Sequence, residues 1–181
     1  QRAILARELS LEQIAAIRSA TGIELETFIH GALCVSYSGQ CYLSYALGGR
    51  SGNRGQCAQP CRKRYSLIDR NGKMLVRNRY LLSLKDLNLS EHLGDLLRAG
   101  VTSFKIEGRL KDSNYVKNVV GHYRHQLDAL LPDFKMRLAS SGKVNLDFTP
   151  DLNKTFNRGY TRYFLHGRRE TERHERVELP H

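Results

Sequence analysis

The chain places four thiol side chains in one short segment. Its only cysteines among 181 residues are Cys34, Cys41, Cys57 and Cys61. A thiolate is a nucleophile, a redox group and a ligand for soft metals. Disulfides are the least favoured use, because nothing in the sequence marks the chain as secreted. The crowding of the thiols therefore predicts a metal site.

The spacing Cys-x6-Cys-x15-Cys-x3-Cys leaves two kinds of metal site open. Structural zinc sites use two close cysteine pairs, and only Cys57 and Cys61 form such a pair. A [4Fe–4S] cluster takes one thiolate at each of its four irons and tolerates wider gaps. By spacing alone, zinc and an iron–sulfur cluster are level alternatives.

A basic stretch overlaps the cysteines. The formal net charge is +11, and residues 50–79 hold nine Lys and Arg against one acid, Asp69. Such a patch attracts polyanions by releasing their counterions, although it could also be an ordinary solvated surface. Its overlap with the cysteines favours a nucleic acid as the partner. The candidate RNA-binding residues are Arg50, Arg54, Arg62, Lys63 and Arg64.

Tyr37, Tyr42 and Tyr45 in the same segment could stack on bases. The alternative, which we expect for at least two of them, is packing around the loop.

The elements on either side alternate between strand and helix. We predict strands at 3–8, 23–30 and 101–108, a helix from Ser10 to Gly22 with Gln13 completing a capping box, and a helix from 112–113 to Pro132. This pattern predicts an α/β fold with parallel strands. Three strands make an incomplete sheet, and the chain lacks an initiator Met. We therefore expect the C-terminal portion of a TIM-barrel-like domain, cut from a longer protein.

Between these elements we predict an irregular Cys-rich insertion at 31–62, a β-hairpin at 65–76 around Asn71-Gly72, and a helix from Ser90 to Leu97 closed by Gly100. The partial barrel domain is then 1–131. Residues 132–181 form a short, aromatic and basic C-terminal extension, with disorder expected at 170–181.

Candidate catalytic residues follow from the strand ends, where α/β barrels carry their reactive side chains. These residues are Glu8, next to Arg7, then His30, Glu107 and Arg109. Each has a structural alternative. His30 could be a hydrogen-bonded neighbour of the cysteine loop, and Glu107 and Arg109 could pair with each other or cap the helix that begins near Asp112.

Other classes of protein find little support. The sequence has no apolar run of about 18 residues and no N-terminal signal pattern, so we expect a cytoplasmic protein that does not bind membranes. It also lacks a His-Glu-x-x-His zinc helix and a Gly-x-Ser-x-Gly elbow, the motifs of common hydrolases.

One motif spans the second strand and the first two cysteines. The pattern Glu26-x-Phe28-x-x-Gly31-Ala32-Leu33-Cys34-x4-Gly39-x-Cys41-x-Leu43-Ser44 resembles the signature of the U32 family, historically named collagenase-like peptidases. The resemblance continues through "GQCAQPCRKRY", "LLSLKDL" and "GVTSFKIEGRLK" and covers residues 3–131. It implies a barrel-like catalytic domain, a [4Fe–4S] cluster on the four cysteines, and hydroxylation of RNA bases or ubiquinone precursors without molecular oxygen.

The later segment "FTPDLNKTFNRGYTRYFLHGR" resembles the part that follows the core in the branch of the family that acts on a cytidine of 23S ribosomal RNA. The resemblance thus implies that 23S rRNA is the partner, and the related tRNA branch suggests prephenate as oxygen donor. Two alternatives remain, a collagenase-like peptidase and a zinc-stapled RNA-binding module.

Overall fold

The predicted alternation of strands and helices is present in the structure, a computed structural model that describes residues 1–136 and 144–167. The strands are β1 (Arg2–Ile4), β2 (Glu24–Ala32), β3 (Tyr65–Ile68), β4 (Met74–Arg79), β5 (Asp86–Asn88), β6 (Val101–Ile106) and β7 (Tyr160–Thr161). The helices are α1 (Leu11–Ala20), α2 (Leu43–Gly48), α3 (Leu93–Arg98) and α4 (Ser113–Leu130).

The main sheet is built around β2. Strands β1 and β6 both pair with β2 in parallel, as the α/β pattern predicts. Strand β5 pairs with β2 in antiparallel orientation and β7 runs parallel to β5. In the part of the chain that the structure describes, these strands do not close on themselves. A mixed α/β sheet is therefore present, but the barrel form is not confirmed.

Alternation along β2 creates the core of this sheet. Leu25, Thr27 and Ile29 are buried, whereas the intervening Glu24, Glu26 and Phe28 keep partial exposure. Neighbouring elements contribute further fully buried side chains, among them Ile14, Leu93, Leu96, Val101 and Val119. Because successive strand residues face opposite sides, β2 presents a buried face on one side of the sheet and a partly exposed face on the other.

Local signals define the ends of α1 and α4. Ser10 Oγ accepts from the backbone N–H of Gln13, and the Gln13 side chain accepts from the backbone N–H of Ser10, which completes the predicted capping box. Asp112 caps α4 by accepting from the N–H of Tyr115 at 2.8 Å. The predicted end of α1 is wrong, because the helix stops at Ala20 and its cap is an extended Thr21 rather than a glycine.

The predicted helix that begins at Ser90 is shorter than expected. Residues Ser90–His92 form a 3₁₀ turn, and α3 begins only at Leu93. Leu89, not Ser90, is at the N-cap position, and the Ser90 backbone N–H donates to Oδ1 of Asn88 at 3.0 Å. Gly100 follows α3 with φ +89°, as a closing glycine should.

The chain divides into two compact units. We call Leu33–Lys85 the insertion unit, and Gln1–Ala32 with the described residues from Asp86 onward the sheet unit. The insertion unit contains α2, two short 3₁₀ turns and the antiparallel hairpin β3–β4. The hairpin is confirmed, but its turn covers Asp69 to Lys73. In it Gly72, at φ +82°, is left-handed while Asn71 is not.

Part of the predicted extension joins the sheet unit. Strand β7 adds to the sheet beside β5, and the N–H of Leu11 donates to the carbonyl oxygen of Leu165 at 2.9 Å. The disorder expected at 170–181 lies outside the described residues. No described helix has the length and apolar character needed to cross a membrane.

Candidate functional site

The four cysteines all belong to the insertion unit. Cys34, Cys41 and Cys61 are partly exposed and Cys57 is exposed. Burial raises the pKa of the Cys61 thiol, the adjacent Arg62 guanidinium lowers it, and the charges of the other three thiols raise it further. Cys61 therefore lies within electrostatic reach of the other three cysteines.

Gly52 lies between two of the cysteines. A Cβ atom built on this glycine would lie 3.7 Å from Cβ of Cys57 and 4.0 Å from Cβ of Cys41. The next residue, Asn53, accepts a hydrogen bond from the backbone N–H of Cys41 at 3.1 Å. The turn at Gly52–Arg54 thus brings the second and third cysteines, distant in sequence, to the same place.

Ser44 links the two cysteine-bearing halves of the insertion unit. Its side chain is 1% exposed, and its hydroxyl accepts from the backbone N–H of Ala58 at 2.9 Å. Directly beside this bond, the backbone N–H of Gln59 donates to Sγ of Cys57 at 3.3 Å. Backbone donors to sulfur stabilise a thiolate and tune a metal–sulfur centre.

Arg62 closes the insertion unit at its base. Its Nη1 donates to the hydroxyl of Ser83 at 2.7 Å and to the carbonyl oxygen of Leu84 at 2.9 Å, while Nη2 donates to the carbonyl oxygen of Leu33. Leu33 precedes Cys34 and Arg62 follows Cys61. One guanidinium thereby connects the first and last cysteine neighbourhoods to the end of the unit. The sequence placed Arg62 among the RNA-binding cations, but these donors already have protein partners.

The other candidate RNA-binding cations are exposed. Arg50 donates from Nε to the carbonyl oxygen of Gln56 at 3.0 Å, and Arg64 lies over the ring of Tyr80, 5.1 Å from its centroid. Arg54 and Lys63 are exposed as well.

The exposed fractions of three tyrosine side chains in this unit test whether they pack around the loop. Tyr37, Tyr42 and Tyr45 are 52%, 70% and 61% exposed. The expectation that at least two of them pack around the loop is therefore wrong. Their rings are accessible because the short elements of this segment leave little interior in which to bury them.

No set of three His, Cys, Asp or Glu side chains in residues 1–136 and 144–167 is arranged to hold a single metal ion. A single tetrahedral ion needs its ligands about 2.0–2.3 Å from one centre, whereas a four-iron cluster takes each thiolate at a different iron. Four neighbouring thiols with a backbone donor to sulfur fit the cluster as a donor set.

The candidate carboxylates Glu8 and Glu107 lie in the sheet unit. Glu107 directly follows β6, but β1 ends at Ile4, so the predicted strand at 3–8 is too long and Glu8 does not lie at a strand end. Glu107 Oε1 accepts from the backbone N–H of Arg109 at 2.9 Å, and both side chains are at least partly exposed. Glu8 is partly buried. Asp112 caps α4, so Glu107 and Arg109 are not needed for that role. Substrate contact by these three residues stays a prediction.

His30 is inside β2 rather than after it, because the strand continues to Ala32. It is 1% exposed, and its Nδ1 lies 3.2 Å from the hydroxyl of Tyr123. Burial lowers the pKa of His30 to about 4, so the imidazole is neutral near pH 7. These contacts fit the structural alternative for His30, while a catalytic role stays a prediction.

The hydroxyl of Tyr123 joins several hydrogen bonds in the buried part of the sheet unit. The sequence did not predict this role, because the position of Tyr123 on α4 indicates only that it belongs to an apolar stripe. Its hydroxyl donates to the carbonyl oxygen of Ile29 at 2.9 Å or to Asn88 Oδ1 at 3.1 Å, and accepts from the N–H of Leu89 at 3.3 Å. The side chain is 2% exposed. Tyr123 therefore joins α4 to the region where β2 and β5 pair.

Two residues of the strand motif lie on the partly exposed face of the sheet. Glu26 accepts from the hydroxyl of Ser103 at 2.7 Å and lies 3.9 Å from Nζ of Lys105. Phe28 carries two cations over its ring, Arg7 at 5.4 Å and Lys105 at 5.3 Å. The motif thus contributes a charged network to the sheet unit. It also contains the start of residues 34–61, which we call the cysteine segment.

Comparison with known proteins identifies one matching family and several relatives. The model of a family described as peptidase family U32 matches residues 1–175. A 23S rRNA 5-hydroxycytidine synthase of Escherichia coli K12 is 53% identical over 92% of this chain and 26% of its own length. A tRNA hydroxylation protein of Bacillus subtilis is 37% identical over 92% of this chain and 40% of its own length.

A protein named collagenase, from Porphyromonas gingivalis, is 37% identical over 70% of this chain and 34% of its own length. The chain thus spans between about a quarter and two fifths of these relatives. No solved structure matches it.

Proposed function

The chain belongs to peptidase family U32, and we propose that it is part of an enzyme that hydroxylates an RNA base, a cytidine of 23S ribosomal RNA, in the cytoplasm. The observation that carries this proposal is the 53% identity with the Escherichia coli synthase over 92% of the chain. Relatives named for tRNA hydroxylation support the same class of reaction.

We further propose that Cys34, Cys41, Cys57 and Cys61 hold a [4Fe–4S] cluster. The presence of all four thiols in one unit and the backbone N–H donated to Sγ of Cys57 fit such a donor set, and zinc is the alternative. The chemistry that such a group supplies is electron transfer. The protein's own part is to keep the four thiols together, through Ser44 and Arg62, and to offer a backbone donor to one sulfur.

Hydroxylation replaces C–H by C–OH and oxidises the base by two electrons. Without molecular oxygen, another reactant has to supply the oxygen and accept the two electrons. An organic molecule that gives up a hydroxyl group and accepts a hydrogen does both, and is itself reduced by the same two electrons. We propose prephenate as this donor, by resemblance to the tRNA branch. The exposed cations Arg50, Arg54, Lys63 and Arg64 would bind the phosphates of the RNA.

Metal analysis tests the cofactor directly. After anaerobic purification the protein should contain about four irons and matching sulfide per chain, and little zinc. Stoichiometric zinc would instead support the zinc-stapled RNA-binding module.

Base analysis tests the reaction. A strain that carries Cys57→Ala in the full-length protein should lose 5-hydroxycytidine from its 23S rRNA, measured by mass spectrometry of digested RNA. A matched variant, Gln40→Ala, changes an exposed side chain of the same unit and should keep the modification. Unchanged modification in the Cys57→Ala strain would refute the proposal.

The collagenase name of one relative keeps a peptidase as the second candidate. That candidate predicts cleavage of collagen by the purified full-length protein and indifference of this activity to Cys57→Ala. Absence of cleavage under conditions in which the RNA is modified would exclude it.

A further inference from the structure

A groove on the β3–β4 hairpin combines guanidinium groups with an aromatic ring. It has a volume of about 370 Å³ and is lined by Arg64, Arg77, Asn78, Arg79 and Tyr80. All five residues belong to the insertion unit. Arg77 and Arg79 are outside the set of cations that the sequence singled out for RNA binding.

The backbone explains why neighbouring side chains share this groove. Successive residues of a regular strand face opposite sides, so Arg77, Asn78 and Arg79 would not normally line one cavity. Here Asn78 has a left-handed φ of +54°, and the pairing of β3 with β4 is shifted next to it. The Asn78 backbone N–H bonds to the hydroxyl of Ser66 at 3.0 Å, which secures the distortion. Left-handed backbone outside glycine is uncommon and concentrates at functional sites.

The charge of the hairpin is almost entirely positive. Arg70 and Lys73 add to the three arginines, and the single acid, Asp69, is engaged in the turn. Its Oδ1 accepts from the N–H groups of Asn71 and Lys73 at 2.8 and 2.9 Å. None of the five described residues that line the groove is acidic. A groove with three guanidinium groups and no acid suits phosphate oxygens, which arginine can bind in a bidentate manner.

Tyr80 supplies the second half of the recognition. The side chain of Arg64 lies over its ring, yet Tyr80 remains 56% exposed. Single-stranded nucleic acids bind proteins through charged grooves for the backbone and exposed aromatic rings on which bases stack. The cation and the ring come from consecutive residues here, Arg79 and Tyr80, and both line the groove.

We propose that this groove is a subsite for single-stranded RNA, in which Arg64, Arg77 and Arg79 bind phosphate and Tyr80 stacks on a base. The proposal deepens the proposed function, on which it rests for its choice of RNA. The groove binds the substrate strand outside the cysteine segment and adds affinity without chemistry of its own.

The test measures binding of a fluorescently labelled single-stranded RNA of about 15 nucleotides by anisotropy, over a series of KCl concentrations. The double variant Arg77→Ala/Arg79→Ala should bind at least tenfold more weakly, with a salt slope smaller by about 1.4, since each lost phosphate contact removes about 0.7 from the slope. The variant Tyr80→Ala should lose about tenfold in affinity with the slope unchanged, and Tyr80→Phe should bind normally.

Matched controls separate a site from bulk charge and from misfolding. Lys117→Ala/Lys154→Ala removes the same charge from exposed positions of the sheet unit and should bind RNA as the unchanged chain does. Arg77→Lys/Arg79→Lys should restore the salt slope, which a collapsed hairpin could not do. Equal losses in both double-alanine variants, or unchanged binding in the hairpin variant, would overturn the subsite.

The two proposals fail in different ways. If the groove variants lose RNA binding while Cys57→Ala leaves the RNA modification unchanged, only the proposed function falls. If Cys57→Ala abolishes modification while the groove variants bind RNA normally, only the subsite falls. Preference for an acidic polypeptide over RNA, with no effect of Tyr80→Ala, would also overturn it.

Discussion

The guanidinium of Arg62 donates a hydrogen bond to the carbonyl oxygen of Leu33, 29 positions earlier in the chain. These two residues adjoin the outermost cysteines, Cys61 and Cys34. The bond therefore closes the cysteine segment into a loop, and the further bonds to Ser83 and Leu84 tie that loop to the end of the insertion unit.

Replacing Arg62 should loosen the insertion unit. Arg62→Ala removes three hydrogen bonds from a charged donor, and we expect a loss of about 2–3 kcal/mol in the local stability of this unit. The measurement is amide hydrogen exchange over residues 33–85. Arg54→Ala removes an exposed cation from the same unit and should leave exchange unchanged. Normal protection from hydrogen exchange in Arg62→Ala would show that these hydrogen bonds do not stabilise the insertion unit.

Ser44 should matter through its single hydrogen bond. Ser44→Ala leaves the backbone N–H of Ala58 without its partner, which we expect to cost about 1–2 kcal/mol locally. Iron content after anaerobic reconstitution should fall, because the lost bond holds the segment beside Cys57. Gln40→Ala, at an exposed position of the same unit, is the control. Full iron content in Ser44→Ala would contradict this role.

Gly31 should tolerate no side chain. A Cβ atom there would lie 2.5 Å from the carbonyl oxygen of Glu107, and its φ is +109°. Gly31→Ala therefore combines a backbone clash with an unfavourable conformation, and we expect a loss of about 3 kcal/mol in the free energy of unfolding. Urea unfolding measures it. Gly22→Ala, where nothing lies within 4 Å, should be close to neutral and serves as the reference.

Burial of His30 should make stability depend on pH. Its folded pKa of about 4 lies below the ordinary value of 6.5, chiefly through burial, with the charges of His122 and Lys111 lowering it and that of Asp86 opposing them. The unfolded chain thus binds a proton that the folded chain does not. The stabilising contribution is complete above pH 6.5 and is lost as the pH falls toward 4.

Urea unfolding at several pH values checks this expectation. The free energy of unfolding should fall between pH 6.5 and 4 by up to roughly 3 kcal/mol, at about 1.4 kcal/mol for each pKa unit. His30→Gln should remove this part of the pH dependence while other titrating groups keep theirs. An identical pH profile for the two proteins would mean that His30 does not titrate as the structure indicates.

Local signals in the sequence predicted the elements that depend on near neighbours. The capping residues Ser10, Gln13 and Asp112 behave as expected, and so does Gly100. Strand pairing over long separations was less accessible. The sequence of the three residues of β5 does not predict that they pair with β2, because such pairing depends on contacts formed only in the folded chain.

The candidate site shows the same division. Residue types and spacing singled out the four cysteines, but charge alone does not say where a guanidinium points. Arg62 thus counted as a surface cation although its donors reach inward, and the arginines of β4 were left out although they line a groove. Ser44 was noticed only as part of a motif, since a lone serine gives no sign of which distant N–H it will accept from.

The pairing of β2 with β5 carries a topological consequence. Ala32 and Asp86 are direct partners in the antiparallel ladder, so the 53 residues between them, 33–85, occupy the place of a hairpin loop. A tight turn could join the same two strands. The cysteine-bearing unit is therefore an insertion between two paired strands. We expect a chain with a two-residue Asn-Gly turn in its place to retain both β2 and β5.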